Sequence, residues 1–321
     1  MFQENENIFP SKPELVQTES GSKLLKLLIS MVLFFVVFVT LFSDSYIFVS
    51  EIIVVLLLHE LGHLLAMKIF GYKALNMLFI PMLGAMVSGN KLKASQHQKV
   101  IISFMGPLPG ILIGCGLFLW MLASSPNALA IEFALLLISI NILNMIPLDP
   151  LDGGNIVETI FFPANNQHKM FFTLVSSIVI ILLGVYFEFF PILIFGFFMA
   201  FKVRSYQKNK VIHDDLDEMN FNYKKEYDDL TDSEYWTLRR VFLKNNPKIK
   251  EIIPDDDNVW ENEKLIVEQV NQILRFDINR DLSVMQKSFY ILLLAAAIVL
   301  PAFLILRNYS IIEWYLNNAG V

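Results

Sequence analysis

The chain of 321 residues is 55% hydrophobic and 13% aromatic, with only 17% charged residues and a clearly positive mean hydropathy. Apolar runs as long as a bilayer crossing recur, which a soluble core does not require, so the composition is that of a polytopic membrane protein. A net charge of −6 leaves no basic stripe to neutralise phosphates and argues against nucleic acid as a partner, while the single cysteine, Cys115, rules out an intrachain disulfide and reads as a small buried hydrophobe.

Residues 1–22 are polar, carry Pro10 and Pro13, and read as a tail. Leu24 to Phe42 is uncharged apart from Lys26 at its start and is long enough to cross a bilayer. No small-residue cleavage signature follows it, so residues 23–45 read as a retained accessory transmembrane helix. After Ser43-Asp44-Ser45 a second apolar run extends from Tyr46 to about Phe70, and inside it lies His59-Glu60-Leu61-Gly62-His63. An ionisable side chain within a span costs on the order of 3 kcal/mol or more, which marks each as a functional residue. Histidines at i and i+4 share one face of a helix and can share one zinc ion, and the glutamate beside the first can take the proton of an attacking water. That pattern reads as a membrane-embedded zinc peptidase.

Ala74 to Gln98 is interrupted by Pro81, Gly84 and Gly89 and turns polar at Lys91 and Lys93, which excludes a continuous transmembrane helix and predicts a re-entrant or edge hairpin packed against protein. A third span runs from about Val100 to Ala123 and is distorted or ended by the two prolines of Gly106-Pro107-Leu108-Pro109-Gly110. A fourth, Ile131 to Ile146, passes into Pro147-Leu148-Asp149-Pro150-Leu151-Asp152-Gly153-Gly154, where unwound backbone suits ligand presentation. Residues 156–201 hold one or two further transmembrane helices. Phe171 to Phe201 contains one charge, Glu188, and is too long for a comfortable single crossing, which favours a turn near Glu188 to Pro191. Residues 202–287 are charged, with Asp214-Asp215 and Asp255-Asp256-Asp257, yet keep apolar residues at helical spacing and read as a small acidic soluble domain. Residues 288–321 are a C-terminal transmembrane helix and short tail.

A catalytic zinc takes three protein ligands and keeps a fourth position open. His97, His168 and His213 lie in polar connecting segments and read as solvated. The carboxylates at the end of the fourth span are better placed, and chemistry alone does not choose between Asp149 and Asp152. The pair of motifs, His59-Glu60-Leu61-Gly62-His63 and Asn144-Met145-Ile146-Pro147 leading into Leu151-Asp152-Gly153-Gly154, resembles the site-2 protease family of intramembrane zinc metalloproteases. The resemblance covers roughly residues 46–155 and implies an all-α polytopic fold. To a three-helix metalloprotease core and a membrane-associated hairpin segment like Phe79 to Gly84, the rest of this sequence adds accessory transmembrane helices and a small soluble helical domain that the resemblance does not cover. The resemblance implies zinc held by His59, His63 and Asp152, Glu60 as the catalytic base, and Asn144 near the substrate or the oxyanion. It further implies a membrane protein substrate cut at its transmembrane helix. No inserted peptide-binding domain of the kind common in one branch of the family separates the motifs, so the resemblance does not imply how substrate is selected.

Basic residues near the spans, from Lys12, Lys23 and Lys26 to Lys68, Lys73, Lys202, Arg204, Arg280 and Lys287, fall on one side if Phe171 to Phe201 crosses twice. The N-terminus and the acidic domain are then expected in the cytoplasm, and a bacterial cytoplasmic membrane is the expected location. A zinc-binding membrane scaffold and a metal transporter are the rival readings. Retention of Glu60 speaks against the first, and the near absence of polar residues along most spans against the second.

Overall fold

Apolar runs become helices here because lipid offers no partner for a backbone N–H or C=O, and a helix pairs both within the segment. A computed structural model of the chain describes residues 9–15, 23–42, 45–80, 84–91, 94–124, 126–162, 166–188, 190–254, 258–260, 263–274 and 278–318. They form two compact units, one of Gly21–Ala200 with Ile278–Val321, the other of Met1–Ser20 with Phe201–Asp277. Six helical stretches among the described residues are long and apolar enough to cross a membrane.

The larger unit begins with α1 (Lys23–Phe42) and α2 (Tyr46–Ile69), the latter capped by Ser45, whose side chain accepts from the Phe48 N–H. The segment expected as a hairpin is one: β1 (Lys73–Ile80) pairs antiparallel with β2 (Gly84–Asn90), with Met77 opposite Val87 and Phe79 opposite Ala85. Helix α1 supports it. Ser30 Oγ accepts the Phe79 N–H at 3.1 Å, and Phe34 meets the Phe79 ring edge-on at 5.7 Å. Lys91, just past β2, donates to Phe70 O at 2.6 Å and Gln98 Oε1 at 2.7 Å, which ties the strand's end to the last turn of α2.

The third span consists of α3 (Gln96–Met105) and α4 (Pro107–Ala123), joined through Gly106. Pro107 opens α4 at a position where its missing N–H costs nothing. Then come α5 (Ala128–Met145), a short amphipathic α6 (Asp152–Phe161), α7 (Asn166–Tyr186) and α8 (Phe190–Glu218). The chain reverses at Glu188, whose φ is 52°, and α7 and α8 pack back to back, Gly184 against Leu193 and Ser177 Oγ donating to Gly196 O at 2.7 Å. Only α7 of this pair is apolar over a full crossing; α8 turns charged from Lys202 and continues into the second unit. After that unit, the parallel bridge between Asn279 and Ser95 and the bond from His97 N–H to Asp281 Oδ1 (3.1 Å) stitch the returning chain to the start of α3. Helices α12 (Val284–Arg307) and α13 (Tyr309–Asn318) close the unit. Tyr290 and Leu294 of α12 share a core with Val100, Phe104 and Ile156, while Ile311 of α13 packs with Phe118 and Ile131.

In the acidic unit, α9 (Asp232–Lys244), α10 (Pro247–Lys250) and α11 (Glu263–Ile273) pack with the second part of α8 around Leu216, Trp236, Leu238 and Val270. Thr231 and Glu234 form a reciprocal capping box at the start of α9. Partial burial raises the Glu234 carboxyl, but Lys225 at 2.6 Å and the Thr231 N–H outweigh it and hold the group below the usual carboxylate range. Residues 9–15 of the polar tail belong to this unit. The Trp236 indole donates to Pro10 O and the Tyr227 hydroxyl to Pro13 O, both at 2.7 Å, and Lys12 Nζ reaches the carbonyls of Tyr227, Asp228 and Leu230. His213 corrects the expectation of a solvated connecting residue, because it is buried in α8 with its ring nitrogens on Asn209 O and Ile273 O. The Asp255-Asp256-Asp257 run lies outside the described residues.

Candidate metal centre

One turn of α2 separates His59 from His63, so their imidazoles share one helix face, meeting edge to face with Nε2 atoms 3.1 Å apart. Asp152 arrives as the first residue of α6, where a carboxylate is favoured by the positive end of the helix dipole. Its Oδ2 lies 3.1 Å from His59 Nε2 and 3.2 Å from His63 Nε2. The three atoms form a nearly equilateral triangle, and they are the metal-capable His and Asp cluster found among the described residues. Zinc with ligand bonds of about 2.0–2.1 Å in tetrahedral geometry needs ligand atoms roughly 3.3 Å apart. Two imidazoles and one carboxylate of this spacing fit that ion, with the fourth position left open.

The remaining ring nitrogens are also engaged. His63 Nδ1 donates to Ile102 O of α3 at 2.8 Å, and His59 Nδ1 pairs with Asn141 Oδ1 of α5 at 2.8 Å. Each bond leaves Nε2 as the lone-pair atom facing Asp152. Asn141 is fully buried and its amide donates back to Leu137 O. Gly110 of α4 makes room for it, since a Cβ there would fall 2.3 Å from Asn141 Nδ2. Asn141 is a residue that sequence reasoning missed. Asn144, one turn further along α5, turns its amide onto Ile140 O at 3.0 Å.

Glu60 sits beside the metal set, buried, and next to the backbone N–H of Val87 on β2. Of the two carboxylates between which chemistry did not choose, Asp152 meets the histidines. Asp149 faces away, accepting from Thr173 of α7. His97 binds the Tyr290 hydroxyl at 3.0 Å, and His168 lies exposed at the start of α7, so neither adds to the cluster.

Close backbone approach sets the geometry. A Cβ at Gly62 would lie 1.9 Å from Met105 O, and one at Gly106 would lie 2.3 Å from the His63 ring. Gly62→Ala is therefore expected to cost at least the upper end of the about 1–3 kcal/mol typical of overpacking, and to displace His63. Gly116, with nothing within 4 Å of its Cβ position, is the control. Thermal midpoints and metal content of Gly62→Ala and Gly116→Ala check this; equal values for the two variants would count against the close approach.

Residues 47–133 match the profile of Peptidase family M50. No curated protein matches the sequence. Among solved structures, the chain is similar to the site-2 protease from Methanocaldococcus jannaschii, at 23% identity and a TM-score of 0.43, over 55% of this chain and 87% of that one. The matched profile spans α2, with both histidines and Glu60, and ends within α5. Both histidines and Glu60 thus lie in the region similar to Peptidase family M50, on a helix long and apolar enough to cross a membrane.

Proposed function

We infer that the chain is a zinc endopeptidase that hydrolyses a peptide bond within or beside a transmembrane segment of a membrane-anchored substrate. The observation that carries this reading is the triangle of His59, His63 and Asp152 beside Glu60. Zinc bound there would polarise the scissile carbonyl and lower the pKa of a water. Glu60, buried next to the triangle, would take the proton of the attacking water and hand it to the leaving amine. Asn141 holds the His59 ring so that Nε2 stays directed at the ligand position. Asn144 is assigned to the substrate backbone or oxyanion, a role that requires its amide to leave Ile140 O.

A helical substrate has its carbonyls locked in hydrogen bonds and must become extended before attack. The β1–β2 hairpin supports such a state. On an antiparallel strand, outward-facing N–H groups recur every second residue. The Phe79 N–H points outward to Ser30, so its partner Ala85 and then Val87 present their N–H groups on the opposite, outer edge of β2. Val87 is the residue beside Glu60, which puts that edge against the catalytic base. An extended substrate added to β2 would pass the site. With Phe171 to Phe201 crossing twice, the distribution of basic residues favours the N-terminus and the acidic unit in the cytoplasm, and a bacterial cytoplasmic membrane is the proposed location.

The test is zinc content and cleavage of a transmembrane substrate by the purified full chain in detergent. Wild type is expected to carry close to one zinc, and Asp152→Ala to lose most of it and all cleavage. Stoichiometric zinc in Asp152→Ala, or wild type without cleavage of any membrane-anchored substrate tried, would overturn the reading.

A further inference from the structure

His59 and His63 ride on one helix, so their spacing is fixed by α2 itself. Asp152 comes from another part of the chain, and its place depends on the turn of residues 147–151 between α5 and α6. That turn is wedged from the α6 side: a Cβ at Gly153 would fall 2.0 Å from Met145 O, and one at Gly154 2.3 Å from Leu148 O. On its other side stands Asp149, 1% exposed. Asp149 Oδ2 accepts from Thr173 Oγ1 at 2.5 Å, and its backbone N–H donates to Ser176 Oγ at 3.1 Å. Both hydroxyls belong to α7, lie on one helix face at i and i+3, and are fully buried.

A carboxylate is kept out of water only when its oxygens are satisfied, and hydroxyl donors to an ionised acceptor make short, strong bonds. Here one bond holds the side chain of Asp149 and the other its backbone, so the turn is fixed in position and in orientation. Helix α7 supplies none of the three metal-facing atoms, yet it grips the residue three before Asp152.

We propose that Thr173 and Ser176 of α7 are positioning residues for the metal centre: through Asp149 they hold the 147–151 turn in the conformation that places Asp152 Oδ2 within 3.1–3.2 Å of both histidine Nε2 atoms. The two aspartates then divide the work, Asp152 toward the metal and Asp149 toward the accessory helix. This inference rests on the reading of Asp152 as the third ligand. Ser177, the adjacent buried hydroxyl of α7, donates instead to Gly196 O of α8 and is the internal control.

The experiment measures zinc affinity of the full chain in detergent by competition with a chelating indicator, together with the visible spectrum of the cobalt(II)-loaded protein, which responds to ligand placement. Thr173→Val keeps the side-chain shape and removes the hydroxyl; Thr173→Ser restores it. Thr173→Val is expected to weaken zinc binding by about tenfold or more, in the range found when groups behind a metal ligand are removed, and to alter the cobalt spectrum. Thr173→Ser is expected to recover both, and Ser177→Ala to leave both as in wild type. Ser176→Ala, a milder change read in the same way, serves if Thr173→Val does not fold. Wild-type affinity and spectrum in both Thr173→Val and Ser176→Ala would overturn the proposal, as would an equal loss in Ser177→Ala, which would mean general loosening of α7. Asp152→Ala is measured alongside: if it binds zinc as wild type does, the ligand assignment itself fails and the proposal with it, whereas a loss there with unaffected Thr173 and Ser176 variants refutes the positioning role alone.

Discussion

Glu60→Gln is expected to lower cleavage by about 10²–10⁴-fold, the range supplied by a positioned general base, while zinc content stays at the wild-type level. The substitution keeps the size of the side chain and its place beside the Val87 N–H, and removes only the ability to accept a proton. Neither histidine nor Asp152 depends on Glu60 for its orientation, because their partners are Asn141, Ile102 and one another. Single-turnover cleavage with metal analysis on the same preparation checks both halves. Undiminished cleavage would remove Glu60 from the chemistry; lost zinc would make it a structural member of the site.

In the acidic unit, Arg239→Met alone is expected to destabilise the fold by roughly 3–5 kcal/mol, the cost of leaving one member of a buried ion pair without the other. Arg239 and Glu263 are joined by two bonds, Nε to Oε1 at 2.7 Å and Nη2 to Oε2 at 3.2 Å, and both side chains are almost wholly out of water. The Tyr235 hydroxyl donates to the same Oε1 at 2.7 Å, and burial, the first cause, with the Glu263 charge pushes that phenol well above its ordinary range. Arg239 also lies over the Trp236 ring, 5.1 Å from its centroid. Removing the guanidinium strands a carboxylate in the core, whereas replacing both partners, Arg239→Met with Glu263→Leu, removes the stranded charge and is expected to recover most of the loss. Hydrogen-exchange protection of α9 in the full chain gives the readout. A change below about 0.5 kcal/mol in the single variant would show that the pair is not what holds the helices together.

The histidine pair of the candidate metal set was legible because its chemistry is written in spacing, His59 and His63 needing only a helix to meet, whereas Asp152 was singled out from Asp149 by the family resemblance and not by chemistry. The hairpin was legible for a similar reason, since Pro81, Gly84 and Gly89 forbid a helix. What supports these parts was not. Asn141 differs from Asn144 only by one turn of an apolar helix, and which amide meets His59 depends on the rotation of α5 against α2. Thr173 and Ser176 read as ordinary small residues of a membrane helix, and only the tertiary fold brings them to Asp149. Ser30 lies in a span that otherwise reads as a plain anchor. Helix α13 and residues 9–15 escaped for different reasons. The first is a short amphipathic stretch after a span. The second docks through backbone carbonyls and Lys12, which leave no periodic mark in the sequence.

The seat of Ser30 and Phe34 against β1 has a further consequence. A two-stranded ribbon with both long sides open is a template on which strands accumulate, one guest recruiting the next. If substrate adds to β2 as proposed, α1 on the other side leaves the β1–β2 ribbon a single berth, and occupancy would be limited to one extended chain at a time. Release of one chain must then precede entry of the next, and a strand-shaped peptide too stable to be cut would act as a plug, blocking turnover without ever touching the metal.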